Sequence, residues 1–182
     1  MPKVLINYGH RNPQTSKHNA LLIDAVRDLP NVTINDLKSH YPDYRIDGDR
    51  ERNLLLAHDV VVLQFPFYWY HTPAILKEWQ DETLSYGFAY GSTGNRLHGK
   101  AMMVAMTTGG PANAYEARGY NHYTFEQLLA PLHATANLVG MKWLRPFISA
   151  GVIQKSQQQF AMEVAEYRDC ISALTEHPQT PF

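Results

Sequence analysis

Val60-Val61-Val62-Leu63-Gln64-Phe65-Pro66-Phe67-Tyr68-Trp69-Tyr70-His71-Thr72-Pro73 is the stretch that decides the reading of this chain. It opens as a continuous apolar, β-branched run, the pattern of a strand buried on both faces. Pro66 has no N–H to give a neighbouring strand, so the strand stops there. An aromatic loop follows, and Thr72-Pro73 predicts a helix start, with Thr72 as N-cap and Pro73 as first helical residue. Trp69 and Tyr70 thus fall at the carboxyl end of a central strand, the edge where open α/β sheets bind ligands.

A second stretch reads the same way. Ala101 to Met106 is an apolar strand running into Thr107-Thr108-Gly109-Gly110-Pro111. Two glycines and two hydroxyl residues let backbone N–H groups approach a flat, hydrogen-bonding ligand closely. An aromatic shelf beside a Thr-Gly turn suits a planar heterocycle, and a flavin ring fits that description.

Upstream, Lys3 to Tyr8 predicts the first buried strand, broken at Gly9-His10-Arg11-Asn12-Pro13, and a helix is expected from about Ser16 to Asp28. The loop around Gln14 to Asn19 then lies between a strand and a helix N-terminus. Exposed N–H groups, the helix dipole and hydroxyl side chains make that a natural phosphate site. The plainer reading is that Thr15 or Ser16 only caps the helix.

Val32 to Asp36 is a short second strand, Leu37 to Gly48 reads as loop, and Asp49 to His58 as a helix whose Arg50, Glu51 and Arg52 form a solvated face. After the central strand, a helix runs from Pro73 to about Leu84 with Ile75, Leu76 and Trp79 on one face. Gly94-x-x-x-x-Gly99-Lys100 imitates a phosphate-binding P-loop. However, Ala101 replaces the required hydroxyl and the segment precedes a strand instead of following one, so the match is rejected. A loop from Pro111 to Tyr123 leads to a helix over about Thr124 to Val139 that ends at Gly140. Met141 to Ile148 is a fifth strand, interrupted at Pro146. The last helix repeats Phe160, Val164, Tyr167, Ile171 and Leu174 on one face, and Cys170 beside it reads as packing. Residues 175–182 are expected to be a frayed tail.

Bulk properties narrow the function. The 182 residues, 45% of them hydrophobic, suffice for one domain with a sizeable core. Lys and Arg number 16 against 17 acidic residues, which gives no basic surface for nucleic acid. No apolar segment reaches membrane-spanning length and no signal peptide precedes the first strand, so a cytoplasmic protein is expected. The single Cys fits a reducing compartment, and the scattered histidines show no metal-ligand spacing. No G-x-S-x-G elbow is present for serine hydrolysis. Strands alternating with helices, without G-x-G-x-x-G, predict an α/β flavodoxin-like, doubly wound, five-stranded parallel sheet of order 2-1-3-4-5 with helices on both faces.

Gln64-Phe65-Pro66-x-x-Trp69-Tyr70-x-x-Pro73-Ala74-Ile75-Leu76-Lys77-x-Trp79, together with Thr107-Thr108-Gly109-Gly110, resembles the flavin-dependent NAD(P)H:quinone oxidoreductases. Within them the chain looks most like the bacterial ancillary proteins of glutathione-regulated potassium efflux systems. Tyr41-Pro42-Asp43 and Leu76-Lys77-Glu78-Trp79 also fit that branch.

The resemblance implies that His10, Ser16, Lys17, His18 and Asn19 hold a flavin phosphate. It implies that Pro66, Phe67, Tyr68 and Trp69 with Thr107, Thr108, Gly109 and Gly110 bracket the ring. FMN is favoured, with FAD the alternative. Tyr115 and His122 are implied as catalytic: the register of the mammalian enzymes falls on Asn121, one residue earlier, while the bacterial branch carries its histidine at the later place. Tyr70, Phe88 and Tyr90 are implied in the substrate pocket, the last two reaching across a homodimer. The implied activity is hydride transfer from NADH or NADPH to a quinone. The competing implication is a regulatory subunit docked on a membrane potassium efflux transporter, peripheral to the inner membrane.

Overall fold

The structure is a computed structural model that describes residues 1–178. The elements follow in order: β1 (Val4–Tyr8), α1 (His18–Val26), β2 (Val32–Asp36), α2 (Leu37–His40), α3 (Gly48–Ala57), β3 (Val60–Pro66), α4 (Ala74–Thr83), β4 (Ala101–Thr107), α5 (Phe125–Leu138), β5 (Lys142–Trp143), β6 (Phe147–Ser149) and α6 (Gln157–Leu174). The sheet is parallel with order β2-β1-β3-β4-β5, and β6 pairs with β4 beyond β5. The expected five-strand order therefore holds, with its last strand divided in two.

The division has a readable cause. Lys142 lies opposite Ala101 and Phe147 opposite Ala105. The outer strand takes five steps where β4 takes four, a one-residue bulge. It falls at Leu144-Arg145-Pro146, where proline cannot donate to the ladder.

Both central strands are buried along their whole length, and their period-2 alternation sorts them into two cores. Leu63, Phe65, Val104 and Met106 face Ile75, Leu76 and Trp79 of α4 and Leu129 and Leu132 of α5. Val60, Val62, Met103 and Ala105 face Leu22 and Ile23 of α1 and Tyr167 and Ile171 of α6. At about 25 cal/mol per Å² of apolar surface, these two layers supply most of the folding free energy. Capping boxes open α5 and α6, Thr124 with Gln127 and Ser156 with Gln159. Gly140 follows α5 at φ 71°, the left-handed position that favours glycine.

Several expectations shift. The helix expected from Ser16 starts at His18, after a 3₁₀ turn at Pro13–Thr15. Pro73, and not Thr72, is the N-cap of α4. The stretch read as loop after β2 contains α2, whose N-cap Asp36 accepts from Ser39 N–H at 3.2 Å. Thr175 is buried at the end of α6, contrary to a frayed end starting there, and residues 179–182 lie outside the described part.

The solvated face assigned to Arg50-Glu51-Arg52 is the largest correction. Glu51 is 0% exposed. Its carboxylate accepts from Tyr41 Oη (2.7 Å), Trp79 Nε1 (2.8 Å), Asn35 Nδ2 (2.7 Å) and the Arg50 guanidinium. A carboxylate so buried is tolerated only when fully hydrogen-bonded. Tyr41 and Trp79, two residues of the motifs that fit the efflux branch, thus have a packing reason of their own.

Candidate ligand site at the carboxyl edge

β1, β3 and β4 end side by side, and the loops that leave them enclose two concavities. The first, of about 280 Å³, is lined by His10, Thr15, Ser16, Lys17, His18, Asn19, Pro66, Tyr68 and Thr107. The second, of about 230 Å³, is lined by Phe67, Trp69, Tyr70, Gly110, Tyr115, Tyr120 and Asn121. Residues leaving β3 alternate between the two, with Pro66 and Tyr68 in the first and Phe67 and Trp69 in the second. One segment therefore forms the shared wall.

The first concavity is polar and rigidly braced. Asn19 Nδ2 donates to Thr107 Oγ1 at 2.7 Å, joining the start of α1 to the end of β4. Gln64 Nε2 donates to the Asn19 carbonyl (3.3 Å), and Gln64 Oε1 accepts from Tyr167 Oη (2.6 Å). Ser16 Oγ accepts from Ala20 N–H at 3.2 Å, so it does satisfy one of the first helix amides while also facing the concavity. His10 Nδ1 accepts from Asn12 N–H (3.0 Å), and its Nε2 lies 3.3 Å from Tyr68 Oη. Burial lowers the His10 pKa and also that of His18, which meets Phe160 edge-on at 4.6 Å. Amides, hydroxyls and Lys17 at a helix start suit an anionic phosphate.

The second concavity is aromatic. Tyr68 to His71 close a two-residue turn, with His71 N–H donating to the Tyr68 carbonyl at 3.0 Å. Trp69 and Tyr70 sit at φ 50° and 64°, the left-handed pair of a type I′ turn. That turn ordinarily uses Asn-Gly, and bulky residues there carry strain. Trp69 is 92% exposed, so no core packing accounts for it.

Across from it, Thr108 Oγ1 donates to the Gly110 carbonyl (2.7 Å), and Thr108 N–H donates to the Ser149 carbonyl (3.0 Å). A Cβ on Gly110 would come within 2.7 Å of Tyr120 Oη, so a larger residue there would displace the Tyr120 ring. Ser149 is held in turn by Lys155 and Glu163: its hydroxyl accepts from Lys155 Nζ (3.1 Å) and donates to Glu163 (2.6 Å).

Of the implied catalytic pair, Tyr115 lines the second concavity. It is buried, stacks on Phe125 at 4.1 Å, and burial raises its pKa. His122 is exposed, at φ 60°, and lines neither concavity. Asn121 lines the second concavity instead, its Oδ1 accepting from Tyr70 Oη at 2.9 Å. Its Nδ2 is buried with no hydrogen-bond partner. Phe88 and Tyr90 also lie outside both concavities of their own chain. Phe88 packs on the core with the Arg52 guanidinium 6.0 Å above it, and Tyr90 meets Tyr86 edge-on.

A flavin fits these residues on three grounds: the polar concavity, the glycine approach at Gly110 and the unpartnered donor beside an aromatic wall. Asn121 was named from sequence only as a register position, and Gln64 was missed as a site residue. Gln64 carried a signal, being the one polar residue in an otherwise apolar strand.

An open parallel sheet of this order, with its ligand-sized concavities at the strand switch point, defines the flavodoxin class. The chain belongs to the flavodoxin-like fold family, whose model matches residues 2–171. It is 42% identical over 179 residues to the glutathione-regulated potassium-efflux system ancillary protein KefG of Cronobacter sakazakii, covering 98% of this chain and 95% of that one. General stress protein 14 of Treponema denticola, solved in complex with FMN, superposes with TM-score 0.90 at 34% identity, covering 95% and 99% of the two chains. An NADPH-quinone reductase from P. pentosaceus superposes with TM-score 0.85 at 27% identity, covering 92% and 96%. Among the described residues no helix is long and apolar enough to cross a membrane.

Proposed function

We propose that this protein is an FMN-dependent NAD(P)H:quinone oxidoreductase. The observation that carries the proposal is the pairing of a polar, phosphate-sized concavity with an aromatic one on either side of the segment leaving β3. His10, Ser16, Lys17, His18 and Asn19 hold the phosphate. Pro66 to Trp69 and Thr107 to Gly110 bracket the ring. When bound, the flavin supplies two-electron hydride chemistry, and the protein supplies position and electrostatics. The two substrates then alternate in the aromatic concavity, stacked near Trp69 and Tyr70. Tyr115, kept protonated by its burial, donates a hydrogen bond to the oxygen that gains charge. Phe88 and Tyr90 wall the pocket of a second copy in a homodimer. The FMN-bound and quinone-reductase neighbours support this reading.

The test begins with the visible absorption spectrum of the purified protein and chromatography of the heat-released chromophore. Stoichiometric FMN, bleached by NADPH and restored by a quinone, is the expected result. A protein that stays colourless after incubation with FMN and FAD would sink it.

A second reading rests on the KefG likeness, that the protein also docks as an ancillary subunit on a membrane potassium efflux protein from the cytoplasmic side. Co-purification with such a transporter, retained in Trp69→Ala, is expected if docking is separate from turnover.

A further inference from the structure

The Thr107–Gly110 turn is tied at three points to the segment that follows β6. Thr108 N–H donates to the Ser149 carbonyl (3.0 Å), Val152 N–H to the Thr108 carbonyl (3.0 Å) and Gly151 N–H to the Gly110 carbonyl (2.8 Å). That segment turns over at residues 152–154, where Gln154 N–H donates to the Gly151 carbonyl at 3.0 Å. A side chain then closes it. Lys155 Nζ reaches back to Ser149 Oγ (3.1 Å) and pairs with Glu163 of α6, whose other oxygen accepts from the same hydroxyl at 2.6 Å. Ser149 is wholly buried, and the Lys155 and Glu163 side chains are only 15% and 23% exposed. Desolvation offsets most of the attraction in so buried a pair, so net stability is a weak reason for it and fixed geometry a better one.

We propose that Lys155 is a positioning residue for the flavin ring: by closing the 149–155 loop it fixes the backbone of Thr108 to Gly110. The proposal rests on the function proposed above and names a charge outside the site on which that site depends, since Lys155 lines neither concavity. The competing role is attraction at a distance. Both Lys155 and Glu163 are near enough to act electrostatically on His18 of the phosphate concavity. Acting by charge alone, the lysine would favour a bound phosphate and the carboxylate would oppose it. The two roles therefore predict opposite signs for Glu163→Gln, which weakens a clamp but removes a repulsion.

Two measurements test the positioning role. In the apoprotein, amide hydrogen exchange at Thr108, Gly151 and Val152 should quicken about tenfold in Lys155→Met, while amides of the central strand β3 keep their wild-type protection. FMN titration, followed by quenching of flavin fluorescence, should give a Kd about tenfold higher in Lys155→Met and about threefold higher in Glu163→Gln. Riboflavin, which has the ring without the phosphate, should lose affinity by the same factors. If Lys155→Met fails to fold, the double variant Lys155→Met/Glu163→Leu removes the pair without stranding a buried charge and should show the same losses. Unchanged exchange at Thr108, unchanged FMN affinity, tighter FMN binding in Glu163→Gln, or riboflavin binding indifferent to Lys155→Met would each overturn the proposal while leaving the flavoprotein intact. A wild-type protein that binds neither FMN nor riboflavin would overturn the proposed function together with this role, and the wild-type titration alone tells that case apart.

Discussion

Trp69 and Tyr70 show most directly what single residues contribute. Two bulky residues in the left-handed region cost on the order of 1 kcal/mol each. Trp69 is almost wholly exposed, so it gains nothing from the core in return. Trp69→Gly should therefore raise stability by about 1 kcal/mol in urea titration while lowering kcat/KM for NADPH. If stability fell instead, the strain argument would fail.

Histidines give the pH prediction. Burial lowers the His10 and His18 pKa values below 6.5, so between those values and 6.5 the unfolded chain binds more protons. Stability should drop as pH falls through about 6.5, and His10→Gln should blunt that drop between pH 7.5 and 5.5. Glu51 was misread from sequence because it stands between two arginines, and its partners Asn35, Tyr41 and Trp79 come from three other elements. Glu51→Gln should cost about 2–3 kcal/mol, since the Trp79 and Asn35 donors and the Arg50 charge lose part of their partner.

Elements were legible where one physical rule dominated. β3 and β4 read as strands because burial on both faces leaves a continuous apolar run, and Gly140 ends α5 as expected. α2 was hidden, being a four-residue helix that depends on a single cap at Asp36. The bulge opposite β4 was half visible: Pro146 announced an interruption, but the extra residue shows only in the pairing. In the site, both concavities followed from strand ends and turn chemistry. That Asn121 and not His122 lines the aromatic concavity did not, because it hangs on one residue's backbone conformation. Thr124 links element to site, since it caps α5 directly before Phe125, on which Tyr115 stacks. Thr124→Ala should cost about 1 kcal/mol in thermal or urea unfolding, and should slow quinone turnover more than NADPH oxidation by free flavin controls would explain.

At the scale of the molecule, the apolar surface is unevenly placed. Trp69, Tyr70 and Tyr120, which line the aromatic concavity, are all well exposed, as is Ile153 beside Gly109. A protein of formal net charge −1 has little electrostatic repulsion to keep such rims apart. Light scattering should give a dimer, and the fluorescence of Trp69 should shift to the blue on association. A fully active monomer would refute the shared pocket.

The chain of bonds from Tyr167 through Gln64 and Asn19 to Thr107 also has a consequence for biosynthesis. Tyr167 lies 103 residues beyond Gln64. During translation, the loop before α1 lacks the last link of that chain, the bond from Tyr167 to Gln64, until α6 has left the ribosome and docked. If that loop holds the cofactor as proposed, loading is expected late, as a checkpoint on finished synthesis. Ribosome-bound chains stalled before residue 157 should fail to quench added FMN fluorescence, and chains released after α6 should succeed.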